Sequence, residues 1–171
     1  MTAADLSAEW LTDWQWRTTL ALKRALRSFE STFGYPPGDN EVVPADEESR
    51  TAAAQLVRAA DIPAALVTFY TTVCELSLPD IDHGYFIHSP AQVRDGIKQY
   101  GLARVAERDA ERDTAVVFGS DGGGILFALD HTGRVHRSTT PSWFGQYEAA
   151  APSLAHYLDE LHGAVVDFAV R

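Results

Sequence analysis

The chain has 171 residues, 46% hydrophobic and 22% charged, which are ordinary values for one globular domain with a single core. Its 14 Lys and Arg residues against 24 Asp and Glu residues give a formal net charge of −10, so we expect no binding to nucleic acid or to an anionic membrane surface. The single cysteine excludes a disulfide framework, and no apolar stretch approaches the ~20 residues of a membrane span. The acidic N-terminus has no apolar core like that of a secretory signal, and the expected location is therefore the cytoplasm.

The N-terminal part of the chain is predicted to begin with a helix. Thr12 and Gln15 fit a capping box, in which a hydroxyl and an amide satisfy the first backbone N–H groups. Apolar residues follow at helical spacing: Leu22, Leu26, Phe29 and Phe33. Gly34 is predicted to end this helix, and the Pro- and Gly-rich residues 35–40 are predicted to form a loop.

Two more helices are predicted next. The first runs from Asp46 to Ala60 and begins with acids, which the positive end of the helix dipole favours. The second begins with a cap at Asp61 and Pro63 in its first turn, and one face is apolar: Ile62, Leu66, Phe69, Val73 and Leu76. We therefore expect residues 1–60 to form a helical extension packed on the core, and residues 61–171 to form the main α+β domain.

The middle of the chain connects these helices to a predicted sheet. A short strand is expected from Gly84 to His88, followed by a helix from Pro90 to Tyr100. Residues 101–113 are polar and charged, which indicates a loop or a short exposed helix.

Three short strands with branched or aromatic residues are predicted between residues 114 and 138: Ala115–Phe118, Ile125–Leu129 and Arg134–Arg137. The glycine-rich turn Gly119–Gly124 and a second turn at 130–133 join them into an antiparallel meander. A last helix begins after Pro152, and its apolar stripe is Leu154, Leu158, Leu161, Val165 and Phe168. The whole pattern predicts a single α+β domain whose antiparallel or mixed sheet is flanked by helices.

The glycine run Gly119–Gly124 allows two interpretations. A phosphate-binding loop uses converging backbone N–H groups at a helix N-terminus, but here no Gly-Lys-Ser/Thr follows and the glycines lead into a strand. The favoured interpretation is a hairpin turn that needs positive φ angles. Binding of a nucleotide or another small molecule by this loop is kept as an alternative.

The candidate reactive residues form no catalytic or metal-binding arrangement. Cys74 lies beside apolar Val73 and is expected to pack as a small hydrophobic residue. His83 and His88 are five residues apart, which places them on opposite faces of a strand, so we expect no metal site. Two histidines of the last helix have an acid within helical reach: His156 with Glu160 and His162 with Asp159. We therefore predict no catalytic residue, no metal and no cofactor, and hence no enzyme.

Three tryptophans lie close together near the N-terminus. At helical spacing Trp10 and Trp14 share a face and Trp16 does not, so one ring is expected on the surface. Packing in the core or against the sheet is the favoured role for these rings, and a partner-binding patch is the alternative.

The order of these elements resembles the SUKH superfamily, which includes cell-wall-assembly regulator domains and many bacterial immunity proteins. The resemblance spans about residues 61–168. The residues that carry it are Ile62-Pro63 and Phe69, Gly84-Tyr85, Val117-Phe118-Gly119-Ser120-Asp121-Gly122-Gly123-Gly124, Phe127-Ala128-Leu129-Asp130, Gly133, Val135, and Tyr157-Leu158 with Leu161.

The resemblance implies a non-enzymatic binding domain. In bacterial members the usual role is to bind and neutralise a toxin, often a nuclease, that the same cell makes. The charge of −10 agrees with a basic partner, because complementary charge speeds association. We therefore expect an immunity protein, monomeric or weakly dimeric, that occludes a basic toxin domain, and a regulatory or scaffold protein of the same fold is the main alternative. The expected contact residues are acids and aromatics on loops: Asp80, Asp82, Tyr85, Asp121 and Trp143.

Overall fold

An antiparallel sheet lies at the centre of the computed structural model, which describes residues 6–105 and 113–171. Its strands are β1 (Glu41–Pro44), β2 (Val73–Leu78), β3 (Tyr85–Ile87), β4 (Ala103–Arg104), β5 (Thr114–Asp121), β6 (Leu126–Asp130), β7 (Val135–Ser138) and β8 (Tyr147–Ala151). The order across the sheet is β1-β2-β3-β5-β6-β7-β8, and β4 pairs with the start of β5. The predicted meander corresponds to β5, β6 and β7.

Six helices accompany the sheet in the described residues: α1 (Ala8–Leu26), α2 (Phe29–Phe33), α3 (Glu47–Ala59), α4 (Ala64–Thr72), α5 (Pro90–Tyr100) and α6 (Leu154–Ala169). Together with the antiparallel sheet they confirm the predicted α+β class. Side chains of Asp46, Ser89 and Ser153 accept the N–H three residues later and so begin α3, α5 and α6 close to the predicted positions. None of the helices within residues 6–105 and 113–171 is both long and apolar enough to cross a membrane.

The predicted capping box of the first helix is wrong. The helix begins earlier, because the Ser7 side chain accepts the N–H of Trp10 and caps α1 at Ala8. Thr12 lies one turn inside, where its hydroxyl donates to the carbonyl of Ala8 at 2.8 Å. Ser7 is an equally good capping residue, and it precedes an additional turn that carries the buried residue Leu11.

The predicted helix from Asp61 to Leu76 is also wrong at both ends. Asp61 does not cap it, since the helix begins after Pro63 without a side-chain cap. It ends at Thr72, and Val73–Leu78 forms strand β2 between β1 and β3. The backbone groups of this segment pair with two neighbouring strands, and this pairing outweighs the helical spacing of its apolar residues.

The first 60 residues contribute both to the sheet and to the main core. Strand β1 lies within the segment that was predicted to be helical and pairs with β2 at the edge of the sheet. Helix α1 packs against α6, where the indole N–H of Trp14 donates to the carbonyl of Leu158 at 2.8 Å. Strand β8 was not predicted, and neither was β4, which lies in the stretch 101–113 expected to be a loop; residues 106–112 of that stretch lie outside the described part of the chain.

The two faces of the sheet differ in what covers them. Leu76, Ile87 and Phe118 point into the main core, which also contains the buried residues of α1, α4 and α6. Because side chains alternate along a strand, the residues between them point the other way. We call the exposed or half-buried residues on that side of β1, β2, β3 and the end of β5 the open face: Glu41, Val43, Glu75, Ser77, Phe86 and Ser120.

A small second core covers the rest of that side. It consists of Ala103, Ala115, Val117 and Ala128, on which the Trp143 and Tyr147 rings pack. A bulge at Phe118, between the pairs Val117–Ala128 and Gly119–Phe127, keeps Val117 and Ser120 on the same side of β5. The open face therefore continues from β1 to the edge of the Trp143 ring.

Candidate functional site

Three of the five predicted contact residues come together at one end of the sheet. Tyr85 and Asp121 are direct cross-strand partners, and Asp82 lies in the turn before β3 with a φ of 50°. The Asp82 carboxylate accepts a hydrogen bond from Arg171 at 2.6 Å. Burial raises the pKa of the Tyr85 hydroxyl, and the carboxylate of Asp82 raises it further, so this phenol stays protonated. We call Asp82, His83, Tyr85 and Asp121 the turn cluster.

Asp121 organises the turn that follows it. One oxygen of its carboxylate accepts the N–H groups of Gly123 at 2.9 Å and Ile125 at 3.0 Å, and only 11% of the side chain is exposed. The other oxygen lies 3.7 Å from Nε2 of His83. The carboxylate thus faces the backbone of its own turn more than the solvent.

Gly122 allows two turns of the sheet to touch. Its N–H donates to the carbonyl oxygen of His83 at 2.9 Å, and a Cβ atom at this position would lie 2.0 Å from that oxygen. Any other residue would push the two turns apart. The need for glycine here comes from close packing within the chain.

The turn is shorter than predicted, because Gly119 to Asp121 belong to β5. Its backbone N–H groups already donate within the chain: Gly122 to His83, and Gly123, Gly124 and Ile125 to Asp121. A phosphate cradle needs such groups free to converge on the anion, and a carboxylate already occupies this position. The arrangement is that of a hairpin turn and disfavours the nucleotide-binding alternative.

Asp80 ties a loop to the sheet. Its carboxylate accepts the N–H of Gly38 at 2.7 Å and the side-chain amide of Asn40 at 2.6 Å, and its own N–H donates to the Asn40 carbonyl at 3.1 Å. These bonds hold the predicted loop 35–40 against the turn between β2 and β3. The half-buried carboxylate therefore has a structural role in the fold.

Trp143 lies on the other side of the sheet from the turn cluster. Its ring packs on the second core, 5.0 Å from the ring of Tyr100, and its Cη2 atom would lie 2.9 Å from a Cβ placed on Gly96. Phe144 beside it is 77% exposed, which gives this region an exposed aromatic surface. The indole N–H of Trp143 is buried, and it has no hydrogen-bond partner among the described residues.

The open face carries carboxylates that the sequence analysis did not select. Glu41, Ser77, Phe86, Ser120 and Leu126 are successive cross-strand neighbours in one row from β1 to β6. Glu75 lies beside this row, opposite Val43. Within the described chain, neither Glu41 nor Glu75 has a basic group within ion-pair distance; Glu41 is exposed and Glu75 is half-buried. The sequence signal there was the β-branched pair Val42-Val43, which is too short to predict a strand.

More acids lie next to Glu75, at the start of α3. Burial raises the pKa of the Cys74 thiol, and the carboxylates of Glu75, Asp46 and Glu48 near the sulfur raise it further. Asp46 and Glu48 are exposed. Cys74 is half-buried in β2 and stays a thiol, as expected of a packing residue rather than a nucleophile.

His88 and Ser120 make the contact that most resembles a catalytic pair. Nε2 of the histidine lies 3.2 Å from the serine hydroxyl, and burial lowers the pKa of the imidazole, which is therefore neutral at pH 7. No carboxylate of residues 6–105 or 113–171 hydrogen-bonds the other ring nitrogen, as an oriented general base would need. In the same residues no group of three or more His, Cys, Asp or Glu side chains is placed to hold a metal ion.

The remaining predictions concern the helices. Trp14 is fully buried and Trp16 is 66% exposed, which confirms that one ring of the tryptophan group reaches the surface. His156 pairs with Glu160 at 3.1 Å as predicted. The side chain of His162 instead contacts the Thr18 hydroxyl of α1 at 3.1 Å.

Comparison with known proteins adds no name to this geometry. No protein-family model matches the chain. A search of curated proteins likewise finds none that matches it.

Proposed function

We propose that this chain is a non-enzymatic protein-binding domain of the cytoplasm, whose open face binds a basic protein. In this proposal it acts as an immunity protein and neutralises a toxin, such as a nuclease, by occluding it. The resemblance of residues 61–168 to the SUKH superfamily supports this role. The net charge of −10 supports a partner of opposite charge.

The observation that carries the proposal is the composition of the open face. Four of the six open-face residues are polar, as expected of a sheet face that meets water, but half-buried Phe86 and Val43 add apolar area. They lie beside Glu41 and Glu75, which form no ion pair within residues 6–105 and 113–171. Apolar area combined with uncompensated charge is typical of a surface that becomes buried against a partner. Basic groups of that partner would pair with these carboxylates, which have no cation within ion-pair distance among the described residues.

Trp143 borders this face, whereas Tyr85 and Asp121 of the turn cluster point to the opposite side of the sheet, toward the main core. Asp82, Tyr85 and Asp121 close the end of β3 and β5, and Trp143 lies beyond Ser120. In the proposed complex, Trp143 contributes an aromatic contact at the edge of the open face, and Asp80, Asp82 and Asp121 hold the turns in shape and add negative potential. The long-range potential depends on the charge, and a hydrogen-bonded carboxylate keeps that charge.

The experiment that tests the proposal is affinity capture from the native cells with the tagged full chain, followed by elution in a salt gradient and mass spectrometry. We expect a near-stoichiometric basic protein that elutes at moderate salt. Production of that protein alone should stop growth, and co-production of this chain should restore it. A neutral partner that resists salt would contradict the immunity role and favour a regulatory or scaffold protein.

A charge-matched pair of variants tests whether the open face is the surface used. Glu41→Gln with Glu75→Gln should slow association with the captured partner about tenfold at low salt, because electrostatic steering is lost. Glu30→Gln with Asp167→Asn removes the same charge from exposed positions on α2 and α6 and should leave the association rate close to the unmodified value. Both variants should keep the stability of the native chain within about 0.5 kcal/mol. Equal slowing by both would show that only net charge matters.

A further inference from the structure

A pocket beside the open face has the chemistry to hold one side chain of a partner. Its volume is about 310 Å³, and it lies between helix α5 and strand β5. The residues that matter for its chemistry are His88, Gln92, Asp95, Gln99 and Trp143. In the part of the chain that the structure describes, no Lys or Arg lines it.

The charge in the pocket comes from Asp95. Its side chain is 69% exposed, and its ion-pair partner among the described residues is Nε of Arg94 at 3.6 Å, which is longer than a good hydrogen bond. Arg94 points away toward α3, where Nη1 donates to Gln55 at 2.8 Å. The carboxylate therefore retains acceptor capacity toward the pocket.

The aromatic wall is Trp143, and the sequence of α5 makes room for it. Gly96 lies in the middle of the helix, where glycine lowers stability, and the indole ring occupies the space that a Cβ would fill. The ring of Tyr100 lies 5.0 Å from the ring of Trp143 and supports it from the same helix. The indole is thus held in one orientation next to a carboxylate.

The remaining groups are neutral. His88 carries no charge at pH 7, because its ring is buried and contacts Ser120, and so it does not repel a cation. The side-chain oxygen of Gln99 is an additional acceptor. Gln92 uses its side-chain oxygen to accept the N–H of Ser89 and so fixes the rim where α5 begins. The carboxylate and the neutral acceptors suit a cation that donates hydrogen bonds, and the aromatic face suits a planar group that can stack on it.

We propose that this pocket binds an arginine side chain of the partner, with the guanidinium stacked on Trp143 and paired with Asp95. Arginine fits better than lysine because its planar group stacks on aromatic rings and donates in a fork that matches a carboxylate. This proposal rests on the proposed function in one respect, because the basic partner supplies the arginine. Tryptophan and arginine are also the residue types that dominate binding energy at protein interfaces.

The test is a titration of the full-length, ¹⁵N-labelled chain with N-acetyl-Gly-Arg-Gly-amide, followed by NMR of the indole N–H signals. The chain has four tryptophans, and the spectrum of the Trp143→Phe variant assigns the Trp143 signal by its loss. We expect the Arg peptide to shift that signal saturably, with a dissociation constant in the millimolar range. The same peptide with citrulline, which is neutral and of nearly equal shape, should leave it in place.

Two variants locate the interaction. Asp95→Asn should weaken the peptide about fivefold, the upper range for an exposed ion pair. Asp159→Asn removes the same charge from an exposed position on α6, and the affinity should be unchanged. Both positions are exposed, so both variants are expected to fold.

The proposal is overturned if the Arg peptide gives no saturable shift of the Trp143 signal, if citrulline gives an equal one, or if Asp95→Asn binds as tightly as the native chain. The titration uses no partner protein. Its failure would therefore remove the arginine pocket while leaving the capture experiment intact. A capture experiment that finds no basic protein would remove the proposed function and leave a positive titration standing.

Discussion

The two faces of the sheet show how one set of strands can separate stability from recognition. On the covered face, Leu76, Ile87, Phe118 and Leu129 are buried, apolar and surrounded by helices. On the open face, charged, polar and aromatic side chains alternate with them in the same strands. A side chain on the covered face has to fit the residues packed around it. A side chain on the open face is free of that constraint and can serve binding.

The region around Trp143 is intermediate between the two faces. Its strands carry small residues, Ala103, Ala115 and Ala128, and the loop between β7 and β8 lays an aromatic ring over them. A tryptophan ring covers a large apolar area, so these strands are shielded without a helix. This arrangement leaves space beside the ring, and the proposed arginine pocket occupies that space.

The largest effect on stability is expected from a comparison of two phenylalanines, one on each face of the sheet, each replaced by alanine in a separate variant. Phe118 is fully buried and its ring meets that of Tyr157 at 5.7 Å, so Phe118→Ala should lower the free energy of unfolding by about 3–5 kcal/mol. Phe86 is only half-buried on the open face, and Phe86→Ala should cost about 1 kcal/mol. Urea denaturation of both variants measures the difference. Equal losses would mean that the open face is part of the stabilising core.

A second pair separates close packing from turn flexibility at the end of the sheet. Gly122→Ala places a methyl group against the carbonyl oxygen of His83 and should destabilise the chain by about 2 kcal/mol. At Gly123 a Cβ would lie 3.3 Å from the Asp121 carboxylate, and Gly123→Ala should cost less than about 1 kcal/mol. Thermal unfolding of both variants is the measurement. The reverse order would show that the two turns do not need their close contact.

The smallest effect is expected in the pH dependence of stability, where one histidine near each face can be compared. Burial lowers the pKa of His88 beside the open face, and burial together with Arg17 lowers that of His162 between α1 and α6. The unfolded state then binds protons first as the pH falls below about 6.5, so stability is full above that pH and declines below it. His88→Gln and His162→Gln should each flatten part of the decline in chemical denaturation between pH 7 and pH 5. An unchanged slope in both would exclude these rings as its source.

Local sequence determined the elements that begin and end with their own signals. Ser89 and Ser153 cap α5 and α6 within one turn of chain. Gly34 ends α2 with a φ of 84°, but the single helix predicted up to Gly34 is wrong, because it is interrupted after Leu26 and forms α1 and α2. Each signal involves only residues that are three or four positions apart, so it can be recognised without knowledge of the fold. The runs of branched or aromatic residues in β5, β6 and β7 were recognisable for the same reason, since short turns separate them.

Tertiary structure decided the segments whose partners are distant in sequence. Val73–Leu78 has apolar residues at a spacing that also suits a helix, and only pairing with β1 and β3 makes it a strand. The edge strands β1 and β8 had only weak local signals, and each is defined by its hydrogen bonds to a single neighbouring strand. Pairing energy of this kind does not depend on the local pattern.

For the candidate site, the sequence by itself determined the charge, and the fold decided where that charge is exposed. The −10 balance was known from composition, but Asp80 and Asp121 hold backbone groups of nearby loops, while Glu41 and Glu75 lie on the open face. A carboxylate accepts hydrogen bonds from backbone N–H groups that lie next to it, because a donor without an acceptor destabilises the folded chain. Which N–H groups lie nearby depends on how the turns meet, and that depends on packing across the whole sheet.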